Sequence, residues 1–324
     1  MNRRTFIRVV ASSLVTISLT AGAQRTDRVR RIGWLWNEPP ATPDIERKAY
    51  PAHLRAVGWI EGQNLIVENR YTSGRTDLLA ALAEELVGLK VDLIVAEGTV
   101  AALAAKKATS TIPIVVARSA DPVRAGLVAS LARPGGNVTG TSTLVSVLYH
   151  KRAQLLHELL PDARRVGDLG TANPIDRINR NEYEQMYRSL GMQAIFIEVT
   201  KASELEPAID EMARRGAQVL LARAEPIIDY PLILRAARKH SLPVIVEERG
   251  PLEDGALISY APNEVELDDR LVFIVDKILR GVKPADLPIL QPTKFELLIN
   301  LKTAKSLGLT IPHTLLLRAD EVIR

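Results

Sequence analysis

Gly98-Thr99 follows the apolar run VDLIVA (91–96) and opens an Ala-rich segment of helical character. A helix that starts at the end of a buried strand presents free backbone N–H groups, and a Thr hydroxyl beside them favours a carboxylate or another anion. The same Thr can instead cap its own helix, and the residue types leave both roles open. Asp121-Pro122 stands in a similar place after IPIVVA (112–117). Its carboxylate suits a ligand ammonium or hydroxyl, or caps a helix begun at Pro122. From the other half of the chain, Glu225 and Glu248 hold corresponding strand-end positions, as opposing ligand contacts or as solvated rim charge. Thr141-Ser142-Thr143 lies where one series of elements ends and the next begins, so it is either a hinge with hydroxyls facing a cleft or a plain linker.

Catalytic chemistry finds little support. The chain has no cysteine, which excludes disulfides, thiolate catalysis and Cys-ligated zinc. Its five histidines show no metal-ligand spacing such as H-E-x-x-H, and His150 and His157, seven apart, read as surface residues. No G-x-S-x-G elbow, P-loop or G-x-G-x-x-G occurs. Arg133-Pro134-Gly135-Gly136 precedes a strand rather than a helix, which is the context of a turn and not of a phosphate cradle. No enzyme activity, metal or cofactor is expected.

Short β-rich runs alternate with longer helical segments from Arg31 onward. Strands are expected at 31–36, 65–71, 91–96, 112–117 and 138–141, with helices at 44–58, 76–89 and 99–108 between them. The rhythm restarts with helix 147–160, strand 165–170, helix 176–190, strand 193–199, helix 202–215, strand 218–222, helix 226–240 and strand 243–247. Parallel strands need crossover connections, so the fold class is α/β with two parallel-sheet lobes. A further strand at 256–260, a helix at 263–280 and a short strand at 287–290 exceed two simple blocks. A chain that returns to its first lobe would produce that surplus. In such sheets ligands sit outside the carboxyl ends of the strands, which is why strand-end residues carry the candidate chemistry.

The N-terminus reads differently. Arg3, Arg4 and Arg8 precede an apolar run, Val9–Thr20, too short to span a bilayer, and Ala21-Gly22-Ala23 ends it. This is the layout of a cleaved secretory signal peptide at 1–23, of Sec or twin-arginine type. Its three Arg account for most of the excess of 42 basic over 38 acidic residues, so a pI near 9.3 does not imply a nucleic-acid partner. No second run is long enough for a membrane anchor.

Three segments resemble a known family: GLVASLARPGGNVTG (126–140), AALAAKKATSTIPI (101–114) and PTKFELLINLKTAKSLGL (292–309), with Ile311-Pro312 and RADEVI (318–323) beyond. The chain is similar from Arg31 to its end to the bacterial ABC-transporter substrate-binding proteins of the TrpX-like group. That resemblance implies a type I periplasmic-binding fold of two Rossmann-like lobes joined by three hinge crossings, with 31–141 plus 256–283 in lobe 1 and 142–255 plus 284–324 in lobe 2. It implies a monomeric periplasmic protein that closes on a small polar ligand, possibly an amino acid, and presents it to a membrane permease with its ATPase. The family's cleft positions fall on Asn37, Gly98, Thr99, Asp121, Ser142, Asn173 and the Glu225 region. The chain departs from the family pattern at Trp36-Asn37-Glu38, Glu225-Pro226 and Ser259-Tyr260-Ala261, which bears on ligand identity rather than on fold. A module presenting ligand to a signalling receptor, and a two-lobed exported enzyme, are the alternatives.

Overall fold

Strands covered on both faces are apolar along their buried length, as Leu93–Glu97 (LIVAE) is up to its last residue and Val219–Ala222 (VLLA) is throughout. Each lies inside its own sheet. The computed structural model describes residues 28–37, 45–171, 174–223 and 227–324; the expected signal segment lies outside them. In chain order the first elements are β1 (Arg30–Trp36), α1 (Ile45–Ala56), β2 (Leu65–Tyr71), α2 (Leu79–Gly88), β3 (Leu93–Glu97), α3 (Gly98–Ala108), β4 (Ile114–Ser119) and β5 (Val138–Ser142). There follow α4 (Val145–Leu159), β6 (Arg165–Thr171), α5 (Pro174–Ser189), β7 (Gln193–Val199), α6 (Leu205–Arg214), β8 (Val219–Ala222), α7 (Tyr230–Lys239) and β9 (Val244–Val246). The last are β10 (Ile258–Pro262), α8 (Glu264–Leu279), β11 (Phe295–Asn300), α9 (Leu301–Ser306), α10 (His313–Leu316) and β12 (Glu321–Ile323).

The first sheet has the order β2-β1-β3-β4-β5 and the second β12-β11-β10-β9-β8-β6-β7. Every pairing is parallel except β10 with β11. Residues two apart on a strand share a face. Trp34 therefore stacks on Trp36, ring centroids 4.8 Å apart, on the face covered by α1 and α8, while Leu35 faces α2. On the second sheet, α4 and α5 cover one face through Tyr149, Tyr183 and Tyr187, and α6 and α7 cover the other through Ile209, Met212 and Ile233.

The chain passes between the sheets after β5, after β10 and again before β11. Two sequence boundaries move. The strand expected near 256–260 and assigned to lobe 1 is β10, which pairs with β9 in the second sheet; the return to the first begins with α8. The segment 284–290, assigned to lobe 2, stays with the first sheet: Ile289 joins its core, and Leu290 donates to Gly140 O and accepts from Ser142 N, both at 2.9 Å. The strand expected at 287–290 is thus a single bridge, Thr141 to Leu290. Both errors share a cause, since the apolar content of these segments fits either sheet.

Glu266, in the first turn of α8, secures the last crossing. It accepts from the backbone N–H groups of Thr293 (3.1 Å) and Lys294 (2.9 Å), from the Thr293 hydroxyl, and from Arg270 at 2.7 Å. Burial opposes ionisation, but the Thr293, Arg270 and backbone hydrogen bonds outweigh it and bring the carboxyl down to about 2. A depressed folded-state pKa stabilises the fold above the unfolded value near 4.5, and that contribution is lost as pH falls from there towards 2. Glu266→Gln should therefore cost about 2 kcal/mol at neutral pH, after allowance for solvent screening of the full shift. In urea unfolding at pH 7 and pH 2.5, the deficit should be full at the first and reduced to roughly a quarter at the second. An equal deficit at both would detach it from the Glu266 charge.

Candidate functional site

The carboxyl ends of β3, β4 and β5 converge on a chain of hydroxyls. Thr99 Oγ1 accepts from the Ala120 backbone N–H at 3.1 Å and lies 3.1 Å from Ser119 Oγ, with which it shares a hydrogen bond. The Thr143 N–H donates to Ser119 O at 2.9 Å, and Ser142 pairs with Ser119 across β4 and β5. Thr99, Ser119 and Ser142 are all buried. Of the two roles open to Thr99, capping its own helix is not the one taken: α3 begins at Gly98 with no side-chain cap, and the Thr99 hydroxyl turns towards β4 instead. The side chain of the N-cap residue, Glu97, does not cap α3, and the positive end of the helix dipole at its first turn favours an anion.

Backbone strain accompanies this corner. Arg118 (φ 57) and Leu144 (φ 57) occupy the left-handed region that residues with a Cβ seldom enter. Arg118 sits where the β4–β5 register shifts; its N–H donates to Thr141 Oγ1 at 2.9 Å and its guanidinium to buried Asp268 of α8 at 2.9 Å. A bulge of this kind re-aims the residues after it, here Ser119 to Asp121, at the crossing.

The other candidates have more local engagements. Asn37 is buried and its carboxamide oxygen accepts from the Thr72 hydroxyl at 2.8 Å, joining the ends of β1 and β2. Asp121 accepts the Arg124 backbone N–H at 3.0 Å, and its second oxygen lies 3.6 Å from the Arg124 guanidinium. Glu248 follows β9 in the second lobe. Burial, then the nearby charges of Glu248 and Glu247, push the Tyr230 hydroxyl well above its usual value. Glu247 itself pairs with buried Arg152 of α4 at 2.6 Å. Asn173 and Glu225 lie outside the described residues. Gly98, Thr99 and Ser142 are thus drawn together around Ser119, whereas Asn37 and Asp121 stand at neighbouring strand ends and Glu248 on the second sheet.

Two groupings were missed. In the second lobe, Arg223 donates to Asp168 at 2.8 Å and to the Tyr149 hydroxyl at 3.2 Å, and the Tyr187 hydroxyl donates to Asp168 at 3.2 Å. Burial, then the Asp168 charge, keep the Tyr187 hydroxyl protonated by raising its pKa well above the usual value. The Arg223 guanidinium lies over the rings of Tyr149 and Tyr183. It also lines a recess of about 300 Å³ with Thr171, Arg177, Arg180, Phe196 and Glu198. The signal was present: a charged Asp inside the strand RVGDLGT must find a buried partner. The second grouping spans the lobes, from Arg124 to Asn179 and Glu182 on α5. Nothing in the sequence pairs these positions. Among the described residues no group of His, Asp and Glu could hold a metal ion, and no helix is long and apolar enough to cross a membrane.

Comparison with known proteins agrees with this geometry. The profile of a family described as ABC transporter substrate binding protein matches residues 44–323. A tyrosine-binding protein of Clostridioides difficile (strain R20291) is 28% identical over 269 residues, 82% of this chain and 77% of that protein. Among solved structures, an ABC domain from Streptococcus pneumonia in complex with L-Trp is 25% identical with a TM-score of 0.82, covering 91% of this chain and 99% of that one. A ligand-free, open substrate binding protein with adhesive properties from Clostridium difficile is 28% identical over the same shares, yet its TM-score is 0.64.

Proposed function

This chain belongs to the ABC transporter substrate-binding protein family, and on that premise we propose that it binds an aromatic amino acid between its lobes and delivers it unchanged to a membrane permease driven by an ATPase. The family is one of substrate-binding proteins rather than enzymes, and such proteins are extracytoplasmic. The N-terminal segment is read as the export signal that places this one in the periplasm. A tyrosine-binding relative and an L-Trp-bound relative support the ligand class.

The observation that carries the reading is the buried Thr99–Ser119 hydroxyl pair, tied through the Ser119 carbonyl to the Thr143 N–H, beside the start of α3, which its N-cap side chain leaves uncapped. An amino-acid carboxylate meets there the partial positive charge and free N–H groups of the helix start, with hydroxyls that can turn to donate. Asn173 and Glu225, at strand ends of the second lobe, are proposed as the opposing contacts. A ligand that touches both walls favours the closed form by the difference in its affinity for the two forms. No bond in the ligand is made or broken in this scheme.

Calorimetry with L-tyrosine, L-tryptophan and L-phenylalanine tests it. Thr99→Val should weaken binding about 10- to 100-fold, the range for a lost hydrogen bond to a charged group, and Thr99→Ser should restore most of it. Ser119→Ala should weaken it in the same direction. Undiminished affinity in both Thr99→Val and Ser119→Ala would remove the site; a wild-type protein indifferent to all three amino acids would remove the ligand class.

A further inference from the structure

We propose that Arg124 is a closing element, which holds the two lobes together whether or not a ligand lies between them. Arg124 belongs to the turn after β4 in the first lobe, and both its acceptors lie on α5 in the second. It donates to Glu182 at 2.9 Å and to the carboxamide oxygen of Asn179. Each end is pre-set within its own lobe. Asp121 holds the Arg124 backbone N–H at 3.0 Å and flanks its guanidinium. Asn179 is fully buried and donates to the Tyr183 hydroxyl at 3.2 Å, and the Tyr183 ring stacks on Tyr149 beneath Arg223. The receiving end is therefore part of the second lobe's core. An ordinary surface ion pair must order two loose side chains, and little is left of its attraction afterwards. Here much of that ordering has been done before the lobes meet.

A second approach between the lobes lies elsewhere: an Ile227 methyl would be 3.9 Å from a Cβ placed on Gly74. The Arg124 contact does not use the Thr99 or Ser119 hydroxyl, so it favours closure in the free protein, and apparent affinity rises with the population of the closed form. Asp121 acquires a part in closure through Arg124, distinct from any contact with ligand.

The test uses R124E, E182R and the double variant R124E/E182R, each first checked for an unchanged circular-dichroism spectrum. Arg124→Gln and Glu182→Gln replace any reversal that fails to fold. Small-angle scattering of the ligand-free protein should show a larger radius of gyration in each single variant, and in the wild type at about 1 M salt, where charges are screened within about 3 Å. The double variant should return to the wild-type value. Calorimetry with L-tyrosine and L-tryptophan should show about three- to ten-fold weaker binding in the single variants, as for a half-exposed ion pair supplemented by a hydrogen bond to a charged group, with recovery in the double. The affinity arm rests on the aromatic amino-acid reading; the scattering arm does not. An unchanged radius of gyration in both single variants overturns the closing role, even if tyrosine binds. A raised radius with no binding of either amino acid preserves the closing role and sinks the ligand reading.

Discussion

Asp168→Ala is expected to lower the unfolding free energy by about 3–5 kcal/mol, the cost of removing one partner from a buried ion pair. Asp168 has no exposed surface and the Arg223 side chain is 5% exposed, so the guanidinium left behind would keep its charge in a site built for a carboxylate. The Tyr187 hydroxyl loses its charged acceptor in the same change and keeps only the Tyr149 hydroxyl, and Tyr149 loses the geometry that brings its hydroxyl to Arg223. Replacing both members with apolar residues, as in Asp168→Ala with Arg223→Met, should recover most of the loss, because no uncompensated charge then remains. Urea unfolding at neutral pH measures both. A single-variant loss below about 1 kcal/mol would mean that Arg223 reaches water through the neighbouring recess. The pair also supports α5, since Arg223 lies over Tyr183 and Tyr183 receives the Asn179 amide. The destabilised variant should therefore bind ligand less tightly even where it remains folded.

Gly140→Ala should be at least as damaging. Gly140 has φ +145, and a Cβ there would stand 2.0 Å from the Val116 carbonyl oxygen and 2.6 Å from its nitrogen. Backbone atoms of a sheet cannot rotate aside as a side chain can. Relief requires β4 and β5 to separate, and these strands carry Ser119 and Ser142 to the site. We expect a loss of about 3 kcal/mol or more, with a fall in Tm of roughly 6–12 °C, or no soluble protein. Surviving protein should bind amino acid more weakly, since β5 leads directly into the first crossing between lobes. A variant with wild-type Tm would show that the close approach of Gly140 to Val116 is not required. Gly140 closes the segment GLVASLARPGGNVTG, and close packing of β5 on β4 is a physical reason for glycine at that position.

The alternation of strands and helices was legible because it depends on neighbours a few residues apart. Runs such as IVVA and LIVA carry their own evidence of burial on both faces, and the helical period of segments such as 264–279 shows within the segment. The placement of strand-end residues followed in turn, and Thr99 could be singled out because a Thr at the start of a helix after a buried strand has few roles. What was misread involved choices between equivalent apolar partners. The run ALISY suits either sheet, and nothing in its own pattern chooses between them.

The residues by themselves determined the α/β class, two series of elements, the lack of thiol chemistry and the small polar residues at strand ends. Only tertiary structure decided that Thr99 meets Ser119, that Asp168 meets Arg223 55 residues away, and that Arg124 crosses to Glu182 58 residues away. The division has a physical basis. Helix and strand periods are written into the chain locally, whereas a hydrogen bond between distant side chains depends on register, bulges such as that at Arg118, and the angle at which two lobes meet. None of these leaves a trace in the spacing of the residues that depend on it.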